Sequence, residues 1–236
     1  MLSKKYRNLI FTFFIIFSLG ICTNSLPSKI FAGEPHAELA KFSPEEALER
    51  LLEGHKRFLA CEPAIKDFKK AIANTAQIQH PNAVIVTCSD SRVPPEILFD
   101  SNIGEIFVIR VAGNIMDPYT IGSVEYAVQH LGTRLIVILG HAKCGAVNSA
   151  LCKLREGNIT YLMNKIEPGI KEIIKDSTMS EGEKLTSAIK KNIKYQISQM
   201  LGYSQVIQEK FKSGELKIAG MYYDVGTGNL SMEPLQ

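Results

Sequence analysis

Ala83-Val84-Ile85-Val86-Thr87-Cys88-Ser89-Asp90-Ser91-Arg92 and Leu135-Ile136-Val137-Ile138-Leu139-Gly140-His141-Ala142-Lys143-Cys144-Gly145 are the two stretches that decide the fold. Each is an apolar, β-branched run without alternation that ends in side chains able to ligate a metal. Such runs read as strands buried on both faces, the pattern of a parallel sheet in an α/β fold. Both polar clusters then lie at the carboxyl ends of strands. Open α/β sheets bind their ligands there, where the strand order reverses. Cys88, His141 and Cys144 converge at that place as two sulfurs and one nitrogen.

The donor set suits zinc, for which thiolate and imidazole are preferred ligands. Three protein ligands leave a fourth tetrahedral position open, the mark of a catalytic site rather than a structural one. A water in that position would have its pKa lowered to about 7. Asp90 and Arg92 share the turn that carries Cys88. The Asp90 carboxylate either ligates the metal or accepts a hydrogen bond from the bound water. Arg92 is placed to pair with Asp90, keep it ionised and fix its orientation.

Cys88-x-Asp90-x-Arg92 with His141-x-x-Cys144 resembles the β-class carbonic anhydrases. The likeness takes in Ser89, Ser91, Val93-Pro94, Glu96, Gly104-Glu105-Ile106-Phe107-Val108, Arg110-Val111-Ala112-Gly113-Asn114, Ser123-Val124-Glu125-Tyr126-Ala127 and Gly140. It runs over residues 42–224. The resemblance implies a central, mostly parallel β-sheet flanked by helices, with an N-terminal helical arm. It implies one zinc per chain on Cys88, His141 and Cys144, and reversible hydration of carbon dioxide to bicarbonate, with Asp90 and Arg92 as catalytic residues. It further implies that Gln79 contacts the substrate through its amide and that the turn at Gly113 shapes the substrate pocket. A homodimer or higher homo-oligomer is expected, with active sites near the subunit interface. Family members that hold the aspartate on zinc at rest use a tryptophan at a second bicarbonate site. This chain has no Trp, which argues against that regulatory form.

Two other readings stay open. One keeps the fold and the zinc chemistry but takes carbonyl sulfide or carbon disulfide as substrate. The other is a non-catalytic zinc-binding or thiol-redox protein of the cell envelope, against which the Asp90–Arg92 pair argues, because metal storage needs no oriented carboxylate.

The length of 236 residues fits one α/β domain behind an N-terminal extension, and 45% hydrophobic residues supply a sizeable core. Residues 1–32 contain Lys4, Lys5, Arg7 and Lys29 and no acid. Beyond them the chain carries 23 basic and 24 acidic residues, a formal charge of −1. That balance gives no electrostatic case for a nucleic-acid partner. Residues 1–32 read as a secretory signal: a basic start, an apolar segment at 9–21 too short to span a bilayer comfortably, and a cleavage position at Ala32. Residues 33–236 then form a single catalytic domain, periplasmic or secreted, with no stable membrane insertion once the signal is removed. Leu19-Gly20-Ile21-Cys22 offers lipid anchoring through Cys22 as an alternative, with Ile21 a bad fit. An uncleaved anchor is the third option. In an oxidising compartment Cys61, Cys88, Cys144 and Cys152 raise the question of disulfides. Cys88 and Cys144 have metal-competent neighbours at motif spacing and read as ligands. Cys61 and Cys152 read as buried or free thiols, with a bridge between them as the alternative.

Helix signals complete the reading. Ser43 and Glu46 form a capping box with Pro44 at the first helical position. Leu48, Leu51, Leu52, His55 and Phe58 then share a face that covers either the protein's own core or a dimer partner, with His55 packed rather than ligating. Residues 65–75 read as a weaker helix and 106–111 as a strand. Residues 119–131 read as a helix with Ile121, Val124, Ala127, Val128 and Leu131 inward. A helix from Gly145 towards Arg155 places Cys144 at a helix N-terminus, which favours its thiolate. Residues 158–201 read as helical, with a second capping box at Ser180 and Glu183 and an apolar stripe of Leu185, Ile189, Ile193, Ile197 and Leu201. Lys190, Lys191 and Lys194 are expected to be solvated. Residues 203–211 read as helix. Residues 216–225 read as a last strand at the sheet edge, with 230–232 pairing back.

Overall fold

The computed structural model describes residues 42–235. The expected signal at 1–32, its cleavage position at Ala32 and Cys22 lie outside the described residues. Five strands form the sheet: β1 (Ala83–Thr87), β2 (Ile106–Arg110), β3 (Leu135–His141), β4 (Lys217–Tyr223) and β5 (Leu230–Glu233). Their order is β2-β1-β3-β4-β5. The first four are parallel and β5 is antiparallel to β4. The chain steps from β1 outward to β2, then returns to place β3 on the other side of β1. The strand order therefore reverses between β1 and β3.

Every residue of β1 and β3 is buried. Val84, Val86, Ile136 and Ile138 enter one apolar layer, and Ala83, Ile85, Leu135, Val137 and Leu139 enter the other. The uninterrupted hydrophobic runs are thus two alternating faces, both covered. Helices α1 (Pro44–Ala60) and α3 (Pro95–Leu98) close one side through Ala47, Leu51, Leu98 and Phe99. The other side is closed by α4 (Pro118–His130), α5 (Gly145–Leu151), α6 (Ile159–Lys175), α7 (Glu181–Tyr203) and α8 (Gln205–Lys212). Helix α2 (Phe68–Thr75) buries none of its residues. Among the described residues no helix is long and apolar enough to cross a membrane.

Local chemistry sets the helix ends. Both expected capping boxes form: Ser43 Oγ accepts from the Glu46 N–H while the Glu46 carboxylate accepts from the Ser43 N–H, and Ser180 and Glu183 do the same for α7. Each box satisfies two N–H groups that have no partner inside the helix. The second helix begins later than expected, because Asp67 accepts from the Lys70 N–H and caps it there, leaving Ile65 exposed. The helix after Cys144 stops at Leu151 instead of running towards Arg155. Lys153 turns left-handed (φ +53°), and the Lys153 and Leu154 N–H groups bond back to the Ala150 and Ser149 carbonyls. The span 158–201 is two helices, α6 and α7. Between them the Asp176 carboxylate accepts from the Thr178 N–H, and Ser180 starts the next cap.

Three further expectations change. β4 is interior, and β5 forms the edge. Lys190 is not simply solvated: its Nζ lies 2.8 Å from Glu233 on β5 and 5.2 Å from the centre of the Tyr222 ring. Lys191 is exposed as expected, with its Nζ 3.6 Å from the exposed Glu172. The stripe of α7 is wider than spacing by fours suggested. Ile189, Ile193 and Ile197 are buried, and so are Ala188, Asn192, Gln196 and Met200, because 3.6 residues per turn carry the buried face around the helix.

Two packed features frame the sheet. His55 Nδ1 donates to the Leu98 carbonyl at 3.0 Å and its ring packs near Phe58 and Phe99, so it is a core histidine. Asp100 has its carboxylate buried between Arg57 (2.6 Å), Lys66 and the Ala64 N–H (2.9 Å), which fastens the segment after α1 to the end of α3.

Candidate metal centre

β1 and β3 pair in register from Val84 with Ile136 to Thr87 with Leu139. Thr87 Oγ1 donates to the Leu139 carbonyl at 2.9 Å and fastens the two strand ends. The chain then delivers Cys88 from one strand and His141 from the other. Beyond His141, the left-handed Lys143 (φ +56°) curls the backbone so that Cys144 turns back towards the histidine. One donor atom from each of Cys88, His141 and Cys144 lies within 4.8 Å of the others, and all three residues are buried.

The histidine is prepared as a ligand. Its Nδ1–H donates to the Ala142 carbonyl at 2.9 Å, which leaves the lone pair on Nε2. Nε2 is buried and makes no hydrogen bond. Buried nitrogens rarely go unpartnered, and a metal would satisfy this one while the Nδ1 bond fixes the ring. Two soft sulfurs with an imidazole nitrogen fit zinc.

The sulfurs divide their protons unequally. Cys88 is held well below the usual thiol range, chiefly because the Cys144 thiol donates to it, with the Gly113 N–H adding and burial opposing. Cys144 is pushed well above the usual thiol range by that donor role and by burial, although the Ala146 and Val147 N–H groups pull the other way. The two sulfurs therefore titrate as one pair, in which a proton on one stabilises the other as thiolate, and the helix-start N–H groups act on Cys144 in the expected direction. A divalent cation replaces that proton.

Asp90 stands beside the trio and outside it. Arg92 grips its carboxylate at both oxygens, Nε to Oδ1 at 2.9 Å and a terminal nitrogen to Oδ2 at 2.8 Å, and the Arg92 N–H adds a third bond at 3.0 Å. These bonds hold the Asp90 carboxyl far below the usual carboxylate range. Asp90 Oδ2 lies 3.9 Å from His141 Nε2. Arg110 completes the turn, donating to the Cys88 carbonyl at 3.2 Å and to the Asp90 carbonyl at 2.6 Å. The sequence reading gave Arg110 no role. Its signal was a charged residue closing a β-branched strand at the same sheet end as Cys88.

Gly113 sits in the helical turn Ala112–Asn114 and donates its N–H to Cys88 Sγ at 3.3 Å. Its φ is +74°, and a Cβ there would lie 2.6 Å from Ile166 Cδ1 and 3.2 Å from Ala146 Cβ. Only glycine meets both conditions. Gln79 is elsewhere. It is exposed in the loop before β1, and its neighbours Ile78 and His80 line a cavity of about 450 Å³ at that end of the sheet. The five residues of β1 put about 16 Å between its two ends, with Gln79 before the amino end and Cys88 just past the carboxyl end. Within its own protomer Gln79 therefore cannot touch a substrate at the cluster, because it lies at the opposite strand end. Cys61 and Cys152 are both free and exposed, not buried and not bridged.

The sequence model of the family described as carbonic anhydrase matches residues 83–230, from the first residue of β1 to the start of β5. The chain belongs to the carbonic anhydrase family. A protein named carbonic anhydrase 2 from Mycobacterium tuberculosis is 34% identical over 196 residues, covering 79% of this chain and 91% of the relative. The β-carbonic anhydrase CafA of Aspergillus fumigatus superposes with a TM-score of 0.65 at 26% identity, over 81% of this chain and 91% of that one. A β-carbonic anhydrase of Sordaria macrospora, described as tetrameric, gives 0.62 at 26%, over 80% and 94%. The fold, a mostly parallel sheet between helices with α1 at its N-terminal end, is the β-class fold. The carbonic anhydrase activity is reversible hydration of carbon dioxide to bicarbonate and a proton. Its zinc site is Cys88, His141 and Cys144.

Proposed function

We propose that the chain carries out this reaction with Asp90 as the group that orients the nucleophile and Arg92 as the group that orients Asp90. The observation that carries the assignment is the two-point Asp90–Arg92 pair, 3.9 Å from the ligating nitrogen of His141. Zinc, when bound, lowers the pKa of a water molecule to about 7 and so supplies a nucleophile near neutral pH. Asp90 stays ionised and would accept a hydrogen bond from that nucleophile, orienting it towards the substrate carbon. Arg92 grips both carboxylate oxygens and so fixes the orientation of Asp90 beside the site. Arg110 holds the carbonyls of Cys88 and Asp90 so that ligand and acceptor keep one geometry. The turn at Gly113 walls the pocket next to Cys88.

Gln79 enters this scheme only across a subunit interface, in a homo-oligomer whose copies bring the amino end of β1 to a partner's cluster. Residues 1–32 direct export, and the mature enzyme works in the periplasm or outside the cell.

Zinc content and stopped-flow hydration of carbon dioxide test the assignment together. Asp90→Asn is expected to keep its zinc and to lose about 10²-fold in kcat, the usual cost of a misaligned reacting group. Full activity in Asp90→Asn would refute the role given to Asp90. Faster turnover of carbonyl sulfide or carbon disulfide than of carbon dioxide would reassign the substrate.

A further inference from the structure

We propose that Asn192 and Gln196, both on α7, are positioning residues for the zinc site, acting through the Gly113 peptide on Cys88. Asn192 is 1% exposed and Gln196 0%. Amides in the interior of a packed helix face need partners for every polar atom. Here the partners are all found. Gln196 Nε2 donates to Asn192 Oδ1 at 2.9 Å and to the Lys165 carbonyl at 3.0 Å. Asn192 Nδ2 donates to the Gly113 carbonyl at 2.9 Å. Gln196 Oε1 accepts from the Met116 N–H at 2.8 Å.

Two of these bonds land on the segment from Gly113 to Met116. That segment contains consecutive left-handed residues, Gly113 (φ +74°) and Asn114 (φ +46°). Such a backbone persists where its surroundings fix it. The Asn192 bond fixes the peptide plane that follows Gly113. The plane that precedes it carries the N–H aimed at Cys88 Sγ, 3.3 Å away. With the following plane pinned by Asn192, and with Ile166 and Ala146 packed against the glycine, the preceding plane is restrained so that its N–H faces Cys88. The N–H then restrains the ligand sulfur and draws charge from it. Partners of this kind, one step removed from a metal, typically govern affinity by 10–100-fold. The relay runs from a helix core to a metal ligand, and neither amide touches the ligand itself. The inference rests on Cys88 being a zinc ligand.

The test follows zinc release from the loaded, purified protein into a chromogenic chelator, with the thiolate-to-metal absorption band of the cobalt-substituted protein as a second readout. Asn192→Leu and Gln196→Met remove the amides at similar volume. Each is expected to release metal 10–100-fold faster and to displace the cobalt band. Met200→Ala, on the same buried face but away from the turn, serves as the control. It is expected to lower Tm while leaving metal release and the cobalt band unchanged. If Asn192→Leu does not fold, Gln196→Met carries the test. Release rates and spectra matching the unaltered protein in a folded variant would overturn the relay alone. So would an equal effect from Met200→Ala. Absence of zinc from the unaltered protein would overturn the metal site and the relay with it.

Discussion

Gly113 shows how much one residue can specify. Its positive φ, its close approach to Ile166 and its N–H to Cys88 coincide in a single backbone unit. Gly113→Ala is expected to cost about 1–2 kcal/mol from the left-handed torsion alone, with the clash adding to it. It should also loosen Cys88, so that Tm falls and zinc release quickens in the same variant. A lower Tm with unchanged zinc release would separate the torsion from the metal. At this scale the sequence was legible where chemistry and spacing agreed: the three ligands, Asp90 and Arg92 all stand on strand ends that their own apolar runs announced. It was silent on Asn192 and Gln196. An amide in a helical repeat reads as the rim of the apolar face, and only the carbonyl and N–H of a turn about 80 residues away make it a core residue. Lys190 was misread for the same reason, since its partner Glu233 arrives with the last strand.

At the scale of elements, β1 and β3 were the plainest part of the sequence, because burial on both faces removes the alternation that makes strands ambiguous. Helix ends were plain where a capping box wrote them, at Ser43 and Ser180. They were hidden where a lysine took a left-handed conformation that composition does not signal, as at Lys153. The junction between α1 and α3 depends on Asp100. Its carboxyl is held at about 2, below its ordinary value, because Lys66, the Ala64 N–H and Arg57 outweigh the effect of burial. A carboxyl depressed in the folded state contributes stability that is complete above its unfolded pKa, near 4, and is lost as pH falls through its folded pKa, near 2. Asp100→Asn is therefore expected to cost about 2 kcal/mol at neutral pH, with the difference from the unaltered protein shrinking between pH 4 and pH 2. Urea unfolding across that range checks it. A difference independent of pH would mean that packing, not charge, fastens the junction.

At the scale of the whole molecule, the placement of Gln79 makes assembly a functional question. If Gln79 serves a partner's site, two inactive chains repair each other. A Gln79→Ala chain keeps its zinc and a Cys144→Ser chain keeps its amide, so co-expressed mixed oligomers contain complete sites. Hydration activity is expected to rise well above that of either variant alone. No gain from mixing, with mixed oligomers present by mass, would remove Gln79 from catalysis.

The bond from Thr87 to Leu139 joins residues 52 positions apart in the chain, and the ligands Cys88 and His141 follow directly from it. This has a consequence in time. Before β1 and β3 lie side by side, no stretch of chain presents all three donors, so an unfolded chain offers zinc only the close pair His141 and Cys144. Pairing strands that far apart is the slow event. Zinc then acts on the way out of the native state and not on the way in. Refolding should proceed at the same rate with or without zinc, while unfolding of the loaded protein should be slower, which double-jump kinetics would resolve. The metal that makes the enzyme active would then also set how long each folded molecule lasts.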